Sequence, residues 1–349
     1  MCEAARVPPE PRPELVYAYW HLAAERQRIL FRRLAGQSAP WTEDPILASY
    51  KFCNAYRASD RVSQYLIRDV IYTDGCHSAE DQLLRIVLFR LFSKPSTWEL
   101  LCGEHEDVTY ANFSVDGYGR TLDEAFAGGR KLYTGAFILC ATRAFGHERK
   151  HRNHLALVEH MMGRGRLPSS VAQANSLRDV YEALMQFPLI GSFMAYQLAI
   201  DINYSELCDF SETEYTVAGP GARRGIAKCF TDTDGWDDQR IIAWMTERQD
   251  EEFTRLEIDF LSLYGRSLQA IDIQNLFCEL DKYARVGFPG LKSNRSRIKT
   301  RFSPTGPIPQ PFYPPKWRLE PDGAPELTTS YWGRTAAVDT ETESQLALL

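Results

Sequence analysis

Apolar residues recur at helical spacing along most of the chain. Leu15, Tyr19, Leu22, Ile29, Leu30 and Leu34 mark one or two helices from Pro13 to about Leu34. The same spacing predicts helices over about 47–72, 79–94, Asp123–Arg143, Arg149–Met162, Ser176–Gln186, Gly191–Asn203, Asp237–Tyr264 and Ser267–Val286. Residues 103–123 are richer in Gly, Asp and aromatics and read as irregular connection, and Ala218–Gly225 reads as a Gly-rich turn. Strand signals are sparse and no repeat recurs, so the expected fold is all-α or nearly so.

Periodicity is lost at both ends. A Pro-rich extension at 1–13 precedes a helical domain over 14–301, and a Pro-dense tail covers 302–349. That tail reads either as an arm laid on the body by Phe312, Tyr313 and Trp317, or as a disordered end. With 349 residues, the chain is long enough for a sizeable core in one large domain or two coupled helical lobes. A formal charge of −6 argues against whole-molecule attraction to nucleic acid, yet leaves room for a local basic strip. No apolar run approaches the roughly 18–20 residues that span a bilayer, and the N-terminus lacks a secretory h-region. Eight scattered cysteines form no C-x₂-C pair, which points to reduced thiols in a cytoplasmic protein, with neither zinc nor iron–sulfur ligation. The expected form is a monomer.

On a helix over Lys51–Arg68, Phe52, Ala55, Ser59, Val62 and Leu66 form a buried face. Asn54, Arg57, Arg61 and Gln64 make a second stripe, with Asp60 beside it. Solvated faces favour Lys and Glu, whereas this one carries planar amides and guanidinium groups. A matching stripe, Asp272, Asn275, Glu279 and Lys282, lies opposite the apolar face Ile273, Leu276, Phe277, Leu280 and Ala284. If the two pack together, Arg57 and Arg61 meet Asp272 and Glu279. Such a network is either a buried salt-bridge cluster or a pocket whose carboxylates and amides read a base edge.

Phe187-Pro-Leu-Ile-Gly191-Ser192 followed by an apolar helix is either an ordinary αα-hairpin or a hairpin whose helix start, at Gly191 and Ser192, holds a DNA phosphate. Gly219, Gly221, Arg223 and Arg224 also suit an anion, although no Gly-Lys-Ser/Thr occurs anywhere, so no Walker A loop is present. Glu212 and Glu214 are the carboxylates nearest the hairpin. Basic runs at Arg143–Arg152 and Lys292–Arg301, the latter with Arg295 and Arg297, are candidate phosphate tracks or solvated faces. His147, His151 and His154 have no carboxylate at suitable spacing and are not expected to hold a metal.

Phe52-Cys-Asn-Ala-Tyr-Arg-Ala-Ser-Asp-Arg-Val-Ser-Gln-Tyr, Tyr133-Thr-Gly-Ala-Phe, Ala218-Gly-Pro-Gly-Ala-Arg-Arg-Gly and Asp272-Ile-Gln-Asn-Leu-Phe-Cys-Glu-Leu-Asp-Lys-Tyr occur in that order. Together, over roughly 45–300, they resemble the α-glutamyl/putrescinyl thymine pyrophosphorylases and the helical domain of 5-hydroxymethyluracil DNA kinases. That family looks related to helix–hairpin–helix DNA glycosylases. The resemblance implies a two-lobed helical fold and a flipped base held by Asn54, Tyr56, Arg57, Asp60, Arg61, Gln64, Gln274, Asn275 and Lys282. It also implies duplex DNA with modified bases as partner, and no cofactor.

A glycosylase's catalytic Asp would fall some 20–27 residues after the hairpin, where this chain offers Glu212, Glu214 and then Ala218. Either a Glu substitutes, or the carboxylate comes from Asp272 or Glu279, or the reaction is not excision. The leading expectation is excision of a bulky modified pyrimidine from phage DNA, with Glu279, Asp272 or Glu214 as the catalytic carboxylate. A transferase that displaces pyrophosphate from an activated 5-methyl group, and a non-catalytic reader of modified DNA, are the alternatives. The lack of a P-loop favours a defence role over a biosynthetic one.

Overall fold

A proline at the first helical position and a buried Leu–Tyr–Trp stripe start the longest helix, α1 (Pro13–Leu34). The computed structural model describes residues 7–75, 77–135, 143–291, 297–303 and 306–320. Among these are fourteen α-helices and one two-stranded antiparallel pair, Glu10–Pro11 with Phe230–Asp232, so the fold is all-α. After α1 come α2 (Pro45–Ser49), α3 (Arg61–Tyr65), α4 (Ala79–Phe92), α5 (Pro95–Glu104), α6 (Val115–Ala127) and α7 (Lys150–Met162). The chain continues through α8 (Leu167–Gln173), α9 (Leu177–Met185), α10 (Ser192–Asn203) and α11 (Pro220–Cys229). It closes with α12 (Asp238–Glu247), α13 (Gln249–Arg255) and α14 (Ala270–Gly287).

The helices pack in two groups. In one, α1, α11 and α12 surround α14; in the other, α4 and α7–α10 pack together, with α6 on α7 and α5 on α6. Residues 50–72 run between the groups and touch both, Arg57 through α14 and the π-helical turn Leu66–Ile71 through α4.

Four sequence expectations change. Residues 47–72 are not one helix: α2 stops at Ser49, Arg57–Ser59 is a 3₁₀ turn, and only Arg61–Tyr65 is α-helical. Short polar side chains capture the backbone there, since Asp60 Oδ1 accepts the Asn54 N–H at 2.8 Å and Asn54 Nδ2 donates to the Ser59 carbonyl at 2.6 Å. The supposed connection at 103–123 holds the start of α6, capped by Ser114 onto the Gly117 N–H, and α6 ends at Ala127 rather than continuing towards Arg143. Residues 256–264 lie beyond α13 and are not helical.

The fourth change is the Gly-rich turn, which is the opening of α11. Its glycines answer to packing: a Cβ on Gly225 would lie 2.1 Å from the Phe277 carbonyl oxygen, and one on Gly221 2.7 Å from Cys278 Sγ. We expect Gly225→Ala to cost about 1–3 kcal/mol or more, because the obstacle is backbone rather than a movable side chain. Gly191→Ala, with nothing within 4 Å of its Cβ, should stay within about 0.5 kcal/mol. Urea midpoints of the two variants check the contrast.

The ends are tied down where they are described. Arg12 Nη1 donates to the Lys228 carbonyl at 2.7 Å, beside the short strand pair. The tail makes an arm: Phe312, Tyr313 and Trp317 pack on the body, and Pro315–Trp317 forms a 3₁₀ turn. Among the described residues no helix is long and apolar enough to cross a membrane.

Candidate functional site

A buried charge on a helix needs a partner, and Asp201 of α10 and Arg90 of α4 are two such charges. Asp201 of α10 is fully buried and accepts from Arg57 Nη2 at 2.7 Å and from Arg90 Nη2 of α4 at 2.8 Å. The Arg57 guanidinium also donates to Gln197 Oε1 at 2.9 Å and to the Tyr204 hydroxyl at 2.9 Å. Its backbone N–H donates to Asp272 Oδ1 at 2.7 Å. Arg57 therefore joins α10 to α14 across the seam. The expected meeting of Arg57 with Asp272 occurs, but through the backbone, while the guanidinium goes to Asp201.

Two carboxyl groups lie beside this centre. Asp272 sits in the first turn of α14 and accepts the Gln269 N–H at 2.9 Å. Burial pushes it up to about 7, the two backbone donors oppose the rise, and the neighbouring Glu212 adds to it. Glu212, on the segment after α10, is buried, and its partners are distant: Asn203 Nδ2 at 3.5 Å and Arg266 Nη2 at 3.6 Å. Burial raises its carboxyl, while Arg266 and Arg57 hold it back. Glu214, two residues on, is exposed. The inward carboxylate of this segment is Glu212.

Asp272 carries a pH-dependent penalty. Between an unfolded value near 3.9 and a folded value near 7, the folded state binds more protons, so this group's contribution declines as pH rises through that window. Asp272→Asn keeps an acceptor for Arg57 and removes the titration. Relative to the parent, its urea midpoint should improve between about pH 5 and pH 8.

The two sequence stripes do meet. Cys53 N–H donates to Glu279 Oε2 at 2.9 Å, Lys282 Nζ sits 2.6 Å from the same oxygen, and Arg26 Nη2 donates to Asn54 Oδ1 at 2.9 Å. Glu279 and Asp60 thus each bind a backbone N–H of the 51–60 loop, and this cluster anchors the loop on α14. Arg61 does not join it and is exposed. Tyr56 is buried, its hydroxyl donating to the Arg266 carbonyl at 2.5 Å and accepting the Leu263 N–H at 3.1 Å. On α14, Asn275 is half-buried; Gln274 is fully buried, with Oε1 lacking a hydrogen-bond partner among the described residues and Nε2 3.4 Å from Cys278 Sγ.

The anion-binding candidates divide. Gly191 and Ser192 are exposed at the start of α10. Gly219 is buried against Phe193, and Arg223 and Arg224 pair with Asp238 at 3.3 Å and Asp281 at 3.1 Å. Arg297 is exposed, and the strand-like stretch it leads into runs beside Ser49–Lys51, with Lys51 N–H donating to the Thr300 carbonyl at 3.1 Å. Lys292 and Arg295 lie outside the described residues. His151 Nε2 lies 2.6 Å from Asp123 Oδ1, a carboxylate brought from α6 that local spacing did not reveal.

Asp201, Arg90 and Arg266 were not singled out from sequence. The signal for the first two was present, a lone charge in each of Met194–Ile202 and Leu88–Phe92. Arg266 had none, because it acts from a loop whose position depends on Tyr56.

This chain belongs to the family described as 5-hmdU DNA kinase, helical domain, whose model matches residues 13–293. A 5-hmdU DNA kinase of Bacillus phage SP10 is 26% identical over 315 residues, which cover 83% of this chain and 49% of that protein. The chain therefore spans about half the length of that relative. No solved structure matches it significantly.

Proposed function

We propose that the chain holds a 5-hydroxymethyl-derived pyrimidine flipped out of duplex DNA and excises it, leaving an abasic site. The observation that carries this reading is Glu212. It is a buried carboxyl with a raised proton affinity whose nearest partners among the described residues lie at 3.5 and 3.6 Å, at the seam of the two helix groups, 21 positions after Gly191. That position lies in the window where a glycosylase-like chain carries its acid.

In this scheme Glu212 takes a proton from water as the water oxygen bonds to C1′ and the C1′–N1 bond breaks. The base leaves with the bonding electron pair and is protonated from solvent. The negative carboxylate also stabilises the oxocarbenium-like sugar. Arg266 supplies a planar cation for the base, Gln64 an amide for its edge, and Asn203 orients Glu212. The Arg57–Asp201–Arg90 cluster positions the two walls and does not itself touch the base. The scheme needs no cofactor.

The test is incubation with duplexes containing 5-hydroxymethyluracil, followed by alkali. Cleavage at the modified position supports excision, whereas intact strands of increased mass would indicate group transfer. One observation favours a second reading, a module that presents the modified base to chemistry elsewhere: the relative named as a kinase is about twice as long as the shared region. Under that reading the duplex binds but no base is ever released.

A further inference from the structure

The arm at Pro311–Trp317 lies outside the family-matched residues 13–293. It engages the seam in two ways. The Gln64 amide pairs with one residue of the arm through both of its ends: Phe312 N–H donates to Oε1 at 2.8 Å, and Nε2 reaches the Phe312 carbonyl at 3.1 Å. One donor and one acceptor on a planar amide is the pairing such a group makes with the edge of a nucleobase. Five residues on, the Trp317 ring lies 3.9 Å from the Arg266 guanidinium carbon that covers it. Tyr313 stacks near-parallel at 6.2 Å and 18°, and Tyr204 meets the ring edge-on at 5.6 Å.

Both recognition elements, an amide for an edge and a cation for a ring face, are thus occupied by the chain's own arm. Beside Arg266, the Glu212 carboxylate has its nearest partners among the described residues at 3.5 and 3.6 Å. The cleft of about 440 Å³ bounded by Lys94–Leu100 and Arg130–Leu132 contains none of these residues.

We propose that in the DNA-free chain the arm fills the place of the flipped pyrimidine, with Trp317 in the stacking position, and leaves when the base enters. This rests on the DNA reading above. The arm is held by scattered side-chain contacts: hydrogen bonds to Gln64, Ser59 and the Ser205 and Cys208 carbonyls, an ion pair of Lys316 with Asp209 at 3.7 Å, the buried Tyr313 ring and a half-buried tryptophan.

The experiment is hydrogen exchange on the full chain with a duplex carrying one 5-hydroxymethyluracil, an unmodified duplex, or none, with binding followed by anisotropy. The modified duplex should speed exchange at the Phe312 amide about tenfold or more. Trp317→Ala should bind that duplex about tenfold tighter, because a competing closed state is removed. Unchanged or slower exchange in a bound complex, or weaker binding by Trp317→Ala, overturns the proposal and leaves the DNA reading standing. If neither duplex binds at all, the DNA reading falls and the proposal falls with it.

Discussion

Asp201→Ala is expected to destabilise the protein by about 3–5 kcal/mol, as for one partner removed from a buried ion pair. Asp201 is fully buried and is the shared carboxylate of Arg57 and Arg90, themselves 3% and 1% exposed. Its loss leaves two guanidinium groups in the interior without that charge. The denaturation midpoint should fall with the slope unchanged. Arg61→Ala is the matched control, since Arg61 is exposed and should change stability by no more than about 0.5 kcal/mol. A near-neutral Asp201→Ala would mean that the seam is not built as described.

Glu212→Gln is expected to lower the excision rate by about 10²–10⁴-fold, the usual contribution of a positioned general base. Glutamine keeps the volume and can still accept from Asn203, so the fold and DNA affinity should survive. The parent rate should rise with pH through a value above the ordinary glutamate range, because burial raises the Glu212 carboxyl and only the ionised form accepts a proton. The variant should lack that limb. Glu214→Gln should leave the rate within about twofold, since an exposed carboxylate two residues away offers no buried charge to the reaction. Equal losses in both variants would show that the 212–214 segment acts by conformation rather than through the Glu212 carboxylate.

What the sequence revealed follows what is local. The apolar spacing of α1, α4, α7, α9, α10 and α14 placed these helices within a few residues, because each buries one face or is buried all round. The pairing of residues 51–68 with 271–285 was also visible in matching polar positions. The reason for it was not: a helical stripe was expected, whereas Asn54 and Asp60 bind backbone and unwind the segment into a loop. Arg57 and Arg61 look alike by spacing and have opposite fates, one at the centre of the molecule and one in solvent. The glycines of α11 resembled an anion loop because close helix packing and phosphate cradling make the same demand, the absence of a Cβ. Trp317 is an anchor of the arm in one of the two sequence readings of the tail, but its partner Arg266 lies 51 positions away, beyond the reach of any periodic pattern.

The most direct test of the central claim is mass spectrometry of both fractions after the full chain is incubated with DNA rich in 5-hydroxymethyl-derived pyrimidines. The expected result is free modified base in the supernatant, an equal number of abasic sites in the polymer, and at least about a hundredfold less of both with Glu212→Gln over the same time. DNA that retains every base after prolonged incubation with folded, DNA-binding protein would contradict it.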